Sequence, residues 1–372
     1  MQMSSPVQIC IFDMSSVNAR RYNRSLNNMF NRFYCLIDDP ELTTPDGTFI
    51  SEVCCGYWTI DKLTNYFKTN NIGLIIISGQ RIADYRVTIA AKKSGVKVLY
   101  KMHGLYVAHM RRGISFYFKK MLKTFRTLVY CWDISAHERS ASLFVHQILN
   151  FVVGNRRHVI MAHNILQPDY CIFWSNYWVD WHRRHYFFSR DVTYLVAGNP
   201  DTLNIKLIHD TNAITYIYQT LVEDGRISKE IMTSYYSQLK EIEEKLQSKI
   251  LIKWHPRGDE LIKEDLCSMG FTVTDSVTQN STWIGHYSSL LGAGPIYKNK
   301  VIVHELPGHP TPESIRNIAS AIIPFEPAEN ELGFDLGISD SDSFDKAKQS
   351  FGDIYNSEKE VNFIRKIFSH EE

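Results

Sequence analysis

Three stretches in the second half of the chain carry side chains able to move protons and hold phosphate. In LVEDGRIS (221–228), Glu223 and Asp224 stand directly before Gly225. Adjacent acids repel each other, which raises the proton affinity of one and poises it as a base. In ILIKWHPRGD (250–259), an apolar run ends on Lys253, Trp254, His255, Pro256 and Arg257. The proline stops the strand and holds His255 extended, with its side chain presented at a loop. An imidazole placed so can donate to a phosphate oxygen or protonate a leaving group, because it titrates near neutrality. Lys253 and Arg257 add positive charge for a phosphate ester. In GHYSSLLGAG (285–294), Ser288 and Ser289 precede a stretch that reads as a helix start, where hydroxyls and backbone N–H groups form an anion site. Taken singly, these are also an ordinary polar turn, a surface histidine and an N-cap. In this order, each after an expected strand, they describe a nucleotide-sugar site with a base, a phosphate-binding histidine and a phosphate cradle. Neither GxxxxGK[ST] nor GxGxxG occurs, which excludes the usual nucleotide-hydrolase and dinucleotide sites.

The elements that must position these groups alternate between strand and helix. Strands are expected over 7–14, 33–38, 71–79 and 96–104, with helices over 18–33, 59–69 and 83–95. The run NIGLIIISG has no polar alternation, as in a parallel strand covered on both faces. Strand, helix and strand over 71–104 make a βαβ unit and hence a parallel sheet. A further strand falls at 169–176, and the stretch VTYLVAGNPD (192–201) follows, with the breaker Gly198-Asn199-Pro200. The pattern then restarts: strands near 214–219, 249–254, 271–276 and 300–306, and helices over 228–247, 259–269, 312–323 and 356–368. This predicts an α/β protein of GT-B architecture, two Rossmann-like domains whose parallel sheets face a central cleft. The division expected is 1–203, 204–355 and a C-terminal helix in 356–372 that packs back on the first domain. Ligands of open parallel sheets bind beyond the carboxyl ends of the strands, where all three stretches are placed.

Composition narrows the class. At 372 residues, 44% hydrophobic and 22% charged, the chain is a globular protein of two domains. A net charge of +1 gives no footprint for nucleic acid. Seven cysteines without CxxC spacing argue against a zinc site or a disulfide framework and fit a reducing cytoplasm. No secretory signal or membrane-spanning run is found. The 14 histidines include no HxH or HExxH spacing, so no metal is expected. Residues 109–131 interleave Arg111, Arg112, Lys119, Lys120, Lys123 and Arg126 with Phe116, Phe118, Met121, Leu122, Phe125, Leu128 and Val129. Such a helix, apolar on one side and basic on its flank, suits peripheral contact with an anionic inner-membrane surface, or packing on its own domain.

The order Glu-Asp-Gly, His-Pro, Ser-Ser resembles the bacterial sialyltransferases of lipooligosaccharide and capsule synthesis, GT-B enzymes that use CMP-sialic acid. The resemblance covers the second half. By motif position it implies Asp224, beside Glu223 and Gly225, as base toward the acceptor hydroxyl. His255, before Pro256, would assist CMP departure, and Ser288 and Ser289 would hold the phosphate. It implies a CMP-activated acidic sugar as donor, a glycan as acceptor, and no metal or other cofactor. In the first half, VKVLYKMHG is similar to a strand-His-Gly segment of related acceptor domains, which would put His103 and Gly104 on the acceptor side. Trp254 departs from the pattern, since relatives more often carry a small residue or proline there; the indole could stack on a base or sugar, or pack. The same His-Pro and Ser-Ser pairs occur in CMP-Kdo transferases and in polyol-phosphate transferases that use CDP-glycerol or CDP-ribitol. The Glu-Asp-Gly turn favours the CMP-activated acidic sugar. A catalytically idle GT-B scaffold is the alternative of another class.

Overall fold

The computed structural model describes residues 8–16, 19–20, 26, 33–79, 81–102, 104–105, 121–153, 166–186, 188–203, 205–210, 212–325 and 337–369. The first sheet contains β1 (Gln8–Asp13), β2 (Tyr34–Ile37), β3 (Ser51–Cys54), β4 (Ile72–Ile77), β5 (Lys97–Lys101), β6 (Tyr170–Phe173) and β7 (Thr193–Val196). All seven are parallel, in the order β3-β2-β1-β4-β5-β6-β7. Both faces are covered, which is why β1 and β4 read as unbroken apolar runs. Cys10 and Phe12 of β1 join one buried cluster, while Ile9 and Ile11 join another on the opposite face. The layers on this sheet include α1 (Ile60–Thr69), α2 (Ile82–Lys93), α3 (Met121–His137), α4 (Ala141–Val153) and α5 (Asn176–Tyr186). Helix α1 starts where Thr59 accepts the Lys62 amide at 3.3 Å, an N-cap that its sequence advertises.

The second half restarts with β8 (Lys206–Ile208), β9 (Ala213–Ile217), α6 (Lys229–Leu246), β10 (Lys249–Lys253), α7 (Glu260–Ser268), β11 (Thr272–Thr274), β12 (Ser276–Thr278), β13 (Thr282–Gly285), β14 (Lys300–His304), a single helical turn α8 (Glu313–Arg316) and β15 (Ala321–Ile323). Six of these strands form a parallel sheet in the order β11-β10-β9-β13-β14-β15, and β8 pairs with β12 separately. The sheet's switch point lies between β9 and β13. From β9 the chain builds outward to β10 and β11, then crosses back to add β13, β14 and β15.

Two sequence expectations are corrected here. The helix expected over 312–323 is only the turn α8, and residues 321–323 form the edge strand β15 on β14. Ala-Ile-Ile is a good edge strand, and the pairing with Ile302–His304 outweighs the helical period. The helix start expected after Ser289 is a 3-10 helix, Leu291–Tyr297. Gly292, Gly294 and Pro295 stand within it, and a Cβ at Gly292 would strike the ring of Phe351.

The last two helices, α9 (Ser341–Phe351) and α10 (Ser357–Ser369), return the chain to the first sheet. Val361, Ile364 and Ile367 of α10 are buried with Ile9, Ile11, Leu74 and Leu99. The seam is tight at Gly198 (φ +88°) and Gly352 (φ +78°). A Cβ on Gly352 would meet the Trp174 carbonyl, so only glycine fits.

Of the basic segment 109–131, residues 109–120 lie outside the described residues, and 121–131 begin α3. Phe125, Leu128, Val129 and Trp132 are exposed on that helix. Arg126 leaves the basic flank expected of it. It is buried, donates to the Asp38 carbonyl at 3.0 Å and lies 3.6 Å from the carboxylates of Asp38 and Asp39. Among the described residues no helix is long and apolar enough to cross a membrane.

Candidate functional site

The three stretches converge because their strands are neighbours. Lys253, the last residue of β10, is in register with Ile217, the last of β9, and Ile284 of β13 pairs with Tyr216. The loops beyond β10, β9 and β13 therefore open side by side at the carboxyl edge, on the switch point where open sheets bind ligands.

The first loop is a compact turn. The Asp224 amide donates to the Thr220 carbonyl at 3.0 Å, and the Arg226 amide to that of Leu221 at 2.8 Å. Gly225 takes φ +64° to close it. The turn sends the two acids apart. Glu223 Oε1 accepts from the Tyr218 hydroxyl at 2.8 Å and from the Asp259 amide at 3.0 Å. It thus ties the β9 end to the start of α7, a structural post. Asp224 faces cations: Oδ1 is 3.8 Å from Arg257 Nη1 and Oδ2 is 3.9 Å from Arg226 Nε. Its hydrogen bond comes from the Thr220 hydroxyl, at 3.2 Å from Oδ2.

The His-Pro loop is fixed by its own backbone. His255 Nδ1 accepts from the Arg257 amide at 3.1 Å, and the His255 carbonyl accepts from Gly258 at 2.9 Å. With Nδ1 an acceptor, the neutral ring carries its proton on Nε2, as a donor. Pro256 is exposed at the corner. Trp254 packs: its indole stacks on Tyr218 at 4.4 Å, and a Cβ at Gly258 would stand 2.6 Å from its Cε2. With Tyr218 stacked on it and Gly258 against its six-membered ring, the indole packs within the protein. Lys253 and Arg257 part company. Arg257 reaches Thr220 Oγ1 at 3.4 Å, beside Asp224. Lys253 donates to the Trp254 carbonyl at 3.3 Å, and burial lowers its pKa, with Asp275 and Lys206 as its charged neighbours.

In the third loop, Ser288 Oγ accepts from the Leu290 amide at 3.2 Å. The Ser289 hydroxyl donates to Asp201, and the Ser289 carbonyl accepts from Asn199 Nδ2 at 3.0 Å. Ser289 therefore spans the seam to the 198–203 linker, while Ser288 is bonded within its own loop. The residue before them, Tyr287, joins the loops: its amide donates to Gln219 Oε1 at 3.1 Å, and its hydroxyl accepts from Arg226 Nη1 at 2.7 Å. Of the two residues expected on the acceptor side, Gly104 is half-buried, with no described atom within 4 Å of where a Cβ would stand, and His103 lies outside the described residues.

Sequence reasoning passed over Arg226, Tyr287 and His309. His309 Nε2 lies 3.1 Å from the Arg226 carbonyl, and its ring faces Tyr287 at 6.3 Å. A signal for it existed, because His309-Pro310 is a second His-Pro pair beyond a strand, β14. Behind these loops His286 is wholly buried. The Tyr216 hydroxyl lies 2.8 Å from its Nε2 and the His304 carbonyl 2.6 Å from its Nδ1, and burial pushes its pKa down to about 4. Among the described residues no group of three or more His, Cys, Asp or Glu is arranged to hold a metal.

No protein-family model and no curated protein matches the chain. Solved structures do. The calicheamicin glycosyltransferase CalG4 is similar over 98% of both chains, at 9% identity and a TM-score of 0.51. MnaA of S. aureus, solved as a co-structure with UDP, is similar over 98% of this chain and 97% of its own, at 10% identity and a TM-score of 0.50. The fold is GT-B. A UDP-GlcNAc 2-epimerase from Methanocaldococcus jannaschii is also similar over 98% of this chain and 99% of its own, at 12% identity and a TM-score of 0.47. Within the GT-B frame the three loops occupy the carboxyl edge of the second domain's sheet.

Proposed function

We propose that this chain is a metal-independent glycosyltransferase that moves an acidic sugar, a nonulosonic acid or Kdo, from its CMP-activated donor to a bacterial surface glycan. The observation that carries the reading is the meeting of Asp224, Arg257 and His255 on adjacent loops of β9 and β10, with Tyr287 tying in the Ser288 loop. Asp224 takes the proton of the acceptor hydroxyl as that oxygen attacks the anomeric carbon. The bond from that carbon to the phosphate oxygen breaks, and His255 Nε2–H donates to the departing CMP. Arginine charge stabilises the leaving phosphate. Attack assisted by a single base inverts the anomeric centre. The exposed face of α3, with Phe125, Val129 and Trp132, follows a basic sequence and would rest on the cytoplasmic face of the inner membrane, where such acceptors are assembled.

The test is nucleotide release from a panel of CMP-sugars and CDP-polyols with a mixed glycan acceptor. A CMP-linked acidic sugar should be turned over. Asp224→Ala and His255→Ala should each lower the rate by about a hundredfold or more while the melting temperature holds. Turnover of CDP-glycerol or CDP-ribitol instead would replace the donor class. Full activity in both variants would remove the site assignment.

A further inference from the structure

We infer that Arg226 and Arg257 are the cations that receive the donor's phosphate, and that Asp224 competes with that phosphate for them. The inference rests on the proposed nucleotide-sugar reading of the site and adds to it the pair of residues that reads the anion.

Four observations carry it. The two oxygens of one carboxylate each face a different guanidinium, at 3.8 Å and 3.9 Å. Those separations exceed the roughly 2.7–3.2 Å of a charge-assisted hydrogen bond, so neither guanidinium is saturated by Asp224. Both arginines are held by neutral partners instead. Arg226 donates to the Tyr287 hydroxyl at 2.7 Å and lies over that ring at 5.5 Å, while Arg257 reaches the Thr220 hydroxyl at 3.4 Å. Arg226 is therefore held without the carboxylate, while the Thr220 hydroxyl that Arg257 reaches also donates to Asp224. Finally, the exposures are 36% for Arg226, 47% for Arg257 and 35% for Asp224, so a solute reaches all three. Lys253, the other cation next to His255, is directed to the Trp254 carbonyl and takes no part.

A phosphate oxygen set between two guanidiniums gains direct hydrogen bonds that Asp224 does not make, because planar forks match phosphate geometry. As the arginines turn to it, they leave the Asp224 carboxylate, which is then open to the acceptor hydroxyl. Donor binding would in this way release the base, and the acceptor hydroxyl would meet it only once the leaving group is seated. Arg226 and Arg257 are positioning residues for the base and binding residues for the phosphate.

The experiment measures binding of CMP, UMP and cytidine by calorimetry to the full chain and to Asp224→Asn, Arg226→Gln and Arg257→Gln. Circular dichroism and melting temperature serve as controls for folding. Removing the competing charge in Asp224→Asn should tighten nucleotide binding about three- to tenfold, an outcome opposite to that for an ordinary contact residue. Each arginine variant should weaken it about tenfold, and combining Asp224→Asn with Arg226→Gln should abolish the tightening. Cytidine, lacking the phosphate, should bind all forms alike. The inference is overturned if Asp224→Asn leaves nucleotide affinity unchanged or weakens it, or if both arginine variants bind as tightly as the native chain. Those results would leave the proposed activity standing. If UMP binds and CMP does not, the donor class falls, and the inference stands only if Asp224→Asn tightens and the arginine variants weaken UMP binding in the same way. If neither nucleotide binds, the nucleotide-sugar reading and this inference fall together.

Discussion

Removing the carboxylate of Glu360 should detach the C-terminal helix from the first domain. Lys101 is the last residue of β5, and its Nζ lies 2.7 Å and 2.8 Å from the two oxygens of Glu360 on α10, and 3.1 Å from the Tyr355 hydroxyl. The side chains are 3% and 0% exposed, so solvent cannot replace the missing partner. In Glu360→Ala the ammonium stays buried without its counter-charge, which costs about 3–5 kcal/mol. The loss falls on the contact between α10 and the sheet, to which Val361, Ile364 and Ile367 contribute apolar packing. Hydrogen exchange of the α10 amides is the direct assay. A loss of that size speeds exchange through local opening by about a hundred- to several-thousandfold. The double variant Lys101→Met, Glu360→Leu removes both charges and keeps apolar volume, so it should recover most of the protection. If Glu360→Ala exchanges like the native chain, or if the double variant is no better than the single, the pair does not anchor the helix and the reasoning is wrong.

Two further outcomes follow from the same structure. Gly258→Ala puts a Cβ against the Trp254 indole, which is already stacked on Tyr218. It should destabilise the fold by about 1–3 kcal/mol and weaken nucleotide binding through the His255 loop, read as a urea midpoint and a calorimetric affinity. An unchanged midpoint would show that the indole moves freely. Stability should also fall in acid. His286 titrates near 6.5 when unfolded and is pushed down to about 4 by burial in the fold, so the unfolded chain binds the extra proton between these values. Its contribution, about 3 kcal/mol, is present in full above pH 6.5 and lost as pH falls toward 4. Denaturant midpoints at pH 7.5 and 4.5 measure it, and His286→Asn should flatten the slope from a lower starting stability. A native midpoint equal at both values would contradict the burial argument.

The local pattern carried the element types well wherever burial itself set the pattern. The apolar run of β4 announced a strand covered on both faces, those of β1 and β10 announced strands, and helices were expected from Thr59 and Ser228. It failed where pairing overrode local period. Residues 321–323 join β14 as a strand, and Pro295 with its neighbouring glycines makes a 3-10 helix of an expected α start. Arg126 looked like a surface cation because its sequence neighbours are basic and apolar. Only the fold brings Asp38 and Asp39 beside it, from the far end of β2.

For the site, the sequence by itself determined that a carboxylate pair, a histidine before proline and a serine pair each follow a strand. Those facts depend on residue type and short-range geometry, which a chain carries locally. Tertiary structure alone decided that β10, β9 and β13 lie side by side, which turns three separate loops into one place. It also decided that Glu223 is a post and Asp224 faces the arginines, that Lys253 turns away, and that Arg226, Tyr287 and His309 complete the wall. Strand order and side-chain partners are set by contacts between residues dozens of positions apart. No periodicity or spacing within one stretch can encode them.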